Sequence, residues 1–141
     1  EFGMQFHHLG WAVKRPDEAF HYLKSLCYTE GAMHFDPLQQ VNLAMRYHPE
    51  MPAAEVIWPG DGPSPIDSML KRNGGAMIYH LCYTSGDVEA SINAIDAAGL
   101  EIMPLGNAKP AILFGGLEVS FYSITNVGIV ELIQGEPAPF M

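Results

Sequence analysis

One pattern occurs twice along this chain. His8-Leu9-Gly10-Trp11-Ala12-Val13 is followed by Asp17-Glu18-Ala19, and His80-Leu81-Cys82-Tyr83-Thr84 is followed by Val88-Glu89-Ala90. Each reads as a strand leading into a helix. Further on, Ala54-Glu55-Val56-Ile57 closes the first copy and Val130-Glu131-Leu132-Ile133 closes the second. Internal similarity of this kind reveals an architecture before any single motif is named. Here it predicts an α+β protein of two tandem βαβββ modules.

Apolar spacing places the first helix over about Asp17 to Cys27, with Phe20, Leu23 and Leu26 or Cys27 on its buried face. The second starts at a capping Asp87, buries Val88, Ile92 and Ile95, and stops at Gly99. Short β-like runs fill the rest: Gln39 to Tyr47 in the first module, Pro110 to Phe114 and Glu118 to Ile124 in the second. The connector carries Gly60, Gly62 and Pro63, then Ser64-Pro65-Ile66, a helix start with Ser as cap and Pro in the first turn. A short helix ending near Gly74 therefore joins the modules. The expectation is one domain, residues 4–141, with module 1 at about 4–59, the linker helix at about 60–75 and module 2 at about 76–135. Glu1 to Gly3 precede Met4, read as a cloning remnant, and stay outside the fold argument.

Composition narrows the function classes. At 141 residues the chain can bury one good core but is short for two independent domains. With 48% apolar and 16% charged residues, it does not read as a disordered regulator. A net charge of -9 with seven Lys and Arg, clustered only as Lys14-Arg15 and Lys71-Arg72, argues against a nucleic-acid surface. An anionic small substrate stays compatible with that charge, because a bound cation and local basic residues outweigh a mean field. No apolar run approaches the roughly 20 residues that span a bilayer, and no signal peptide is apparent, so no membrane partner and a cytoplasmic location are expected. Cys27 and Cys82 lack CxxC spacing and read as ordinary thiols.

Strand alternation puts His8, Gly10 and Ala12 on one face of the first strand and Leu9, Trp11 and Val13 on the other. His80, Cys82 and Thr84 repeat this in the second module. In the closing strands Glu55 and Glu131 alternate with Val56 and Leu132, which suit packing under a helix, so the polar residues share the helix-free side. If the sheets curve toward each other, they enclose one metal-containing cavity lined by two imidazoles and two carboxylates. A divalent cation explains that combination, since two carboxylates alone in one cavity would repel and suffer desolvation. Mixed N and O donors suit Zn, Ni, Co, Fe or Mn, one ion per chain. The metal set is therefore His8, Glu55, His80 and Glu131. A lone strand His is usually a hydrogen-bonded structural residue; the His opening and Glu closing both halves favour the metal. His7 points to the face opposite His8, and His21, His34 and His48 have no counterpart in the second half, so none of these joins the site. Trp58, Phe35, Tyr47 and Phe121 read as core residues that can also shape a pocket.

These residues resemble the vicinal oxygen chelate superfamily (glyoxalase, bleomycin resistance and dioxygenase proteins), and within it methylmalonyl-CoA epimerases. The likeness covers nearly the whole chain. It is carried by Phe6-His7-His8-Leu9-Gly10-Trp11-Ala12-Val13, Glu55-Val56-Ile57-Trp58-Pro59, Ser64-Pro65-Ile66, Gly75-Ala76-Met77-Ile78-Tyr79-His80-Leu81-Cys82 and Gly128-Ile129-Val130-Glu131-Leu132. The resemblance implies metal ligands at His8, Glu55, His80 and Glu131, in agreement with the reading from the residues. The epimerases typically have Gln at the second ligand, whereas a Glu there is similar to bacterial-type glyoxalase I. A second departure concerns the base that the resemblance to epimerases implies in the region reading here Asp36-Pro37-Leu38-Gln39-Gln40. Leu38 falls at that glutamate, so either Asp36 substitutes or two-base epimerization is not the reaction.

The chemistry implied by the resemblance is proton abstraction next to a carbonyl, with the enolate charge developing against a Lewis acid. Glu131 is the first candidate base and Glu55 the second; either would have to leave the metal as substrate enters. This describes a lyase, isomerase or epimerase acting on a small oxygenated substrate or an acyl thioester. Lys109 is a candidate contact for an anionic group, although a loop Lys is usually just solvated. Two rivals remain: a dioxygenase using two His and one carboxylate, and a metal-free small-molecule (drug) binding protein. Exposed sheet edges lead to the expectation of a homodimer with one site per chain.

Overall fold

The two module-opening strands have the same burial rhythm. In β1 (Met4–Val13) His8, Gly10 and Ala12 are buried while Leu9 and Trp11 are half covered; in β5 (Ala76–Ser85) His80, Cys82 and Thr84 are buried while Leu81 and Tyr83 are half covered. The computed structural model describes residues 1–138; residues 139–141, the end of the expected domain, lie outside the described residues. Contacts divide the described residues into two units, one of Glu1–His8 with residues 80–138, the other Leu9–Tyr79. The first module runs β1, α1 (Asp17–Ser25), β2 (Thr29–Asp36), β3 (Val41–Tyr47), β4 (Ala54–Pro59). After α2 (Asp67–Arg72) the second runs β5, α3 (Val88–Ala97), β6 (Ile102–Pro104), β7 (Lys109–Pro110), β8 (Glu118–Ile124), β9 (Gly128–Gln134). The fold is α+β, built from βαβββ modules in a strand-dominated sheet, as the repeat predicts.

In the Leu9–Tyr79 unit the strands lie in the order β2-β3-β4-β1. β1 and β4 are parallel, pairing Gly10 with Glu55 and Trp11 with Val56. Helix α1 carries Asp17 and Glu18 in its first turn and Lys24 in its last, both matched to the helix dipole. Its Ala19 and Leu23 pack with Val13, Tyr28, Ala54 and Val56, and Phe20 and Leu26 lie against that cluster. The helix stops short of Cys27, which takes a left-handed φ of 70° and is exposed. That turn lets Tyr28 enter the core and donate its hydroxyl to the Pro52 carbonyl at 2.7 Å. On the other face Ala12, Val41 and Ile57 pack with Ile66 and Leu70 around α2. The expected Ser64 cap does not form: the helix starts after Ile66 with no side-chain cap hydrogen bond, and instead the Ser64 hydroxyl, and then its backbone N–H at 2.9 Å, donate to the Asp67 carboxylate and hold it below its usual value.

β2 was not foreshadowed by alternation. It is mostly exposed and its register slips between Glu30 and Met33. A strand with little burial on either face, and a Gly at 31, leaves no period-2 signal to read.

In the other unit β5, β9, β8 and β6 follow one another, with β7 on β8. Asp87 caps α3 as expected, accepting the Ala90 N–H at 3.1 Å. Ile95 is buried with Tyr122, Ile124, Val130 and Leu132, with Val88 and Ile92 packed alongside. The chain leaves α3 through Gly99 at φ 86°. Pro110 to Phe114 corrects the sequence reading: only Lys109–Pro110 is extended, and Ile112–Phe114 is a 3-10 turn. Gly115 and Gly116, both with positive φ, follow it, and the Gly116 N–H returns to the Ala111 carbonyl at 2.9 Å. The turn buries Phe114 against Cys82, Val119 and Ile133. Residues before Met4 also matter: the buried Ser91 hydroxyl donates to the Phe2 carbonyl at 2.7 Å.

Candidate metal centre

Both closing glutamates stand at the same register. Glu131 on β9 is opposite Cys82 of parallel β5, two residues beyond His80, and opposite Phe121 of antiparallel β8. Glu55 on β4 is opposite Gly10, two residues beyond His8, and opposite Met45 of β3. Each carboxylate is 4% exposed, so neither is the solvated strand-end Glu that such a position ordinarily holds. Val56 and Leu132, the next residue in each strand, lie in the helix-side clusters. The side chains therefore divide between faces as alternation requires.

His8, His80 and Glu131 come together in one unit. Nε2 of His80 lies 3.1 Å and Nε2 of His8 3.4 Å from the same oxygen, Oε1 of Glu131. Both rings are essentially inaccessible; their centroids are 5.6 Å apart and edge-on. Phe114 lies 5.6 Å from His8 and Phe121 5.2 Å from His80, so apolar rings wall the polar group. Burial alone would push the Glu131 carboxyl up. The charge of His80, the contacts from both imidazoles and the charge of His8 outweigh it and hold the carboxyl well below the usual range.

The donor set fits a cation. Bonds of ~2.0–2.1 Å to imidazole N and carboxylate O put two donors on one ion ~3.0 Å apart at a right angle and ~3.4 Å apart at the tetrahedral angle. The two N···O separations fall at those edge lengths. Two imidazoles aiming nitrogen lone pairs at an anionic oxygen would repel it, so either Nε2–H hydrogens or a metal ion belong where these three atoms converge.

Glu55 belongs to the Leu9–Tyr79 unit. It sits near Tyr47, whose phenol is raised from its ordinary value by burial and then by the Glu55 charge. Asp36 is buried, and its Oδ1 accepts the Leu38 N–H at 2.9 Å, while Leu38 itself is exposed. Lys109 is exposed on β7, paired with Val119. Phe35 and Trp58 are not both core residues: Trp58 packs edge-on against Phe20, whereas Phe35 is exposed.

Sequence reasoning missed His7. Its Nδ1 lies 2.8 Å from Nδ1 of His8, and its ring is edge-on to Phe114 at 5.3 Å. Alternation sets neighbouring side chains on opposite faces, but Nδ1 is the ring nitrogen nearer the backbone, within reach of the preceding residue. Burial, and then the His8 charge, lower the His7 pKa to about 4 against a smaller opposing pull from Glu131.

Fold and site together define an α+β protein of paired βαβββ modules with a buried group of two histidines and a glutamate. Residues 7–121 match the Glyoxalase/Bleomycin resistance protein/Dioxygenase superfamily, and the chain belongs to that superfamily. Among curated proteins none matches at a significant level. Among solved structures the chain is similar to a hypothetical protein from Bacillus halodurans, at 20% identity over 98% of this chain and 99% of that one, with a TM-score of 0.78. It is also similar to methylmalonyl-CoA epimerase from Mycobacterium tuberculosis, at 21% identity over 95% of this chain and 88% of that one, TM-score 0.74. A variant of the Streptomyces coelicolor methylmalonyl-CoA epimerase, in complex with 2-nitronate-propionyl-CoA, matches at 18% identity over 96% and 98%, TM-score 0.70. No helix among the described residues is long and apolar enough to cross a membrane.

Proposed function

We propose that this chain is a divalent-metal-dependent lyase, isomerase or epimerase that removes a proton next to a carbonyl, with His8, Glu55, His80 and Glu131 as metal ligands. The observation that carries the reading is the convergence of two buried imidazole Nε2 atoms on one oxygen of buried Glu131. Glu55 joins the set because it repeats the register of Glu131 relative to its module's His, at equal burial. Each of the four offers one donor atom. When bound, the metal supplies a Lewis acid that stabilises negative charge on a substrate oxygen.

Glu131 is the base, with Glu55 the alternative. A carboxylate oxygen within about 3 Å of the substrate C–H takes the proton, and the electron pair of that bond moves toward the carbonyl oxygen. The walls formed by Phe114 and Phe121 limit water around that charge. The substrate is a small oxygenated compound or an acyl thioester, the latter supported by the epimerase structures to which the chain is similar. A single domain over 4–141, a cytoplasmic location and a homodimer with one site per chain belong to the same proposal.

The test is metal content of the purified protein by elemental mass spectrometry, with His80→Ala and Glu131→Gln variants checked for folding by circular dichroism. Near one transition metal per chain, lost in the folded variants, is expected; solvent deuterium exchange into glyoxalase and epimerase substrates then identifies the reaction. No metal, even after reloading with Zn, Ni, Co, Fe or Mn, sinks the reading and leaves a small-molecule binding protein.

A second reading is favoured by the same three donors. Two His and one carboxylate are also the ligand set of oxygen-activating iron enzymes. A fourth donor at Glu55 counts against it. Oxygen consumption by the ferrous protein with a candidate substrate would establish it instead.

A further inference from the structure

The structure assigns His7 a positioning role: its Nδ1 accepts the Nδ1–H of His8 and so fixes the tautomer in which His8 presents the Nε2 lone pair to a metal ion. The inference rests on the metal-site reading above.

A neutral imidazole has one N–H and one lone pair. Nε2 of His8 is the nitrogen 3.4 Å from Glu131 Oε1, and Nδ1 is the nitrogen 2.8 Å from His7 Nδ1. If Nε2 is to bind a cation, the proton must sit on Nδ1. The 2.8 Å contact is then a hydrogen bond only if His7 Nδ1 is the acceptor, with the His7 proton on Nε2. The opposite arrangement, His7 donating, would put the His8 proton on Nε2 and leave no lone pair for a metal. Metal-binding histidines ordinarily give their second N–H to a carboxylate, carbonyl or water; here a second histidine fills that place. His7 is held there by the edge-on Phe114 ring at 5.3 Å.

His7, His8 and the buried Cys82 also bring donor atoms within 4.8 Å of one another. Using them as a separate metal site would require His8 to bind through both nitrogens at once and lose its remaining proton. The hydrogen-bond reading needs no such step.

Three variants test the assignment. In His7→Asn the amide oxygen takes the place of Nδ1 as acceptor. His7→Gln moves the acceptor one atom outward, and His7→Leu has none. Zinc dissociation constants measured by chelator competition are expected to stay within a few-fold of the unmodified protein for His7→Asn and to weaken ~10–100-fold for His7→Gln and His7→Leu. In 15N-histidine spectra of the zinc-loaded protein, His8 is expected as the Nδ1–H tautomer. Equal affinity in all three folded variants overturns the inference while leaving the metal site standing. So does a fall from two bound zinc ions to one in His7→Leu, which would make His7 a ligand. If His7→Leu fails to fold, the contrast between His7→Asn and His7→Gln decides. An unmodified protein that binds no zinc overturns the functional reading, and this inference with it.

Discussion

His80 approaches Glu131 at 3.1 Å with both side chains withdrawn from solvent. An ion pair at that depth makes little net contribution, because desolvating both groups offsets their attraction, but breaking it from one side is costly. In chelator-treated protein, His80→Ala is therefore expected to lose about 3–5 kcal/mol of stability, since buried Glu131 is left without the nearer of its two imidazole contacts. Glu131→Gln keeps the shape and gives up the stability that ionised Glu131 adds at neutral pH, but the imidazoles left behind can stay neutral and strand no buried charge, so its loss should be smaller than that of His80→Ala. Metal affinity should behave differently, falling in both variants by more than the ~10–100-fold typical of residues outside the ligand set. Urea unfolding with and without zinc separates the two effects. Equal stability loss in both metal-free variants would refute the argument.

Two groups at the buried site contribute to the pH dependence of stability in the metal-free chain, in different windows. His7 has a folded pKa of about 4 against an ordinary 6.5. Between those values the unfolded chain binds more protons, so stability is full above pH 6.5 and declines as pH falls toward 4. Glu131 is held below its ordinary 4.5. Its contribution is present above pH 4.5 and is lost as pH falls further toward the folded value. Unfolding free energies at stepped pH should show both declines, and His7→Asn should remove the upper one. A His7→Asn slope unchanged between pH 6.5 and 4 would contradict this.

The pairing of His80 with Glu131 was legible in the sequence because a repeat in sequence is a repeat in register. His8 and His80 open parallel pairs β1 with β4 and β5 with β9, and the same two-residue offset places each Glu. Helix α3 was legible from Asp87 to Gly99 because its cap and its stop are chemical signals in single residues. β2 and the Ile112–Phe114 turn were not legible. The first is an exposed edge with no alternation, and the second is set by paired left-handed glycines that an apolar run does not reveal. His7 was missed for another reason: face assignment by alternation locates Cβ, and says nothing of a ring nitrogen that reaches the adjacent residue.

Gly31 is a packing constraint in the Leu9–Tyr79 unit. A Cβ there would lie 2.3 Å from a Tyr47 ring carbon and 3.0 Å from the Met45 carbonyl oxygen. The ring must move and the backbone oxygen cannot follow, so Gly31→Ala should destabilise by about 1–3 kcal/mol. Because Tyr47 carries an electrostatic interaction with Glu55, the displaced ring should also change the Tyr47 titration. A variant as stable as the parent in urea would show that the β2 bulge absorbs the methyl group.

Asp36 decides how many bases the reaction can have. Leu38, which the resemblance to epimerases sets at the second base, is exposed and has no titratable group. Asp36 is buried with Oδ1 committed to the Leu38 N–H at 2.9 Å, a local turn contact that Asn reproduces through its own side-chain oxygen. Asp36→Asn should therefore leave substrate deuterium exchange within a few-fold, and Asp36→Ala should cost about 1 kcal/mol of stability by removing the acceptor. With Glu131 as sole base, deuterium from solvent returns to the face the proton left, so exchange proceeds with configuration kept. Exchange coupled to inversion and abolished by Asp36→Asn would place a second base at Asp36 and return two-base epimerization to this chain.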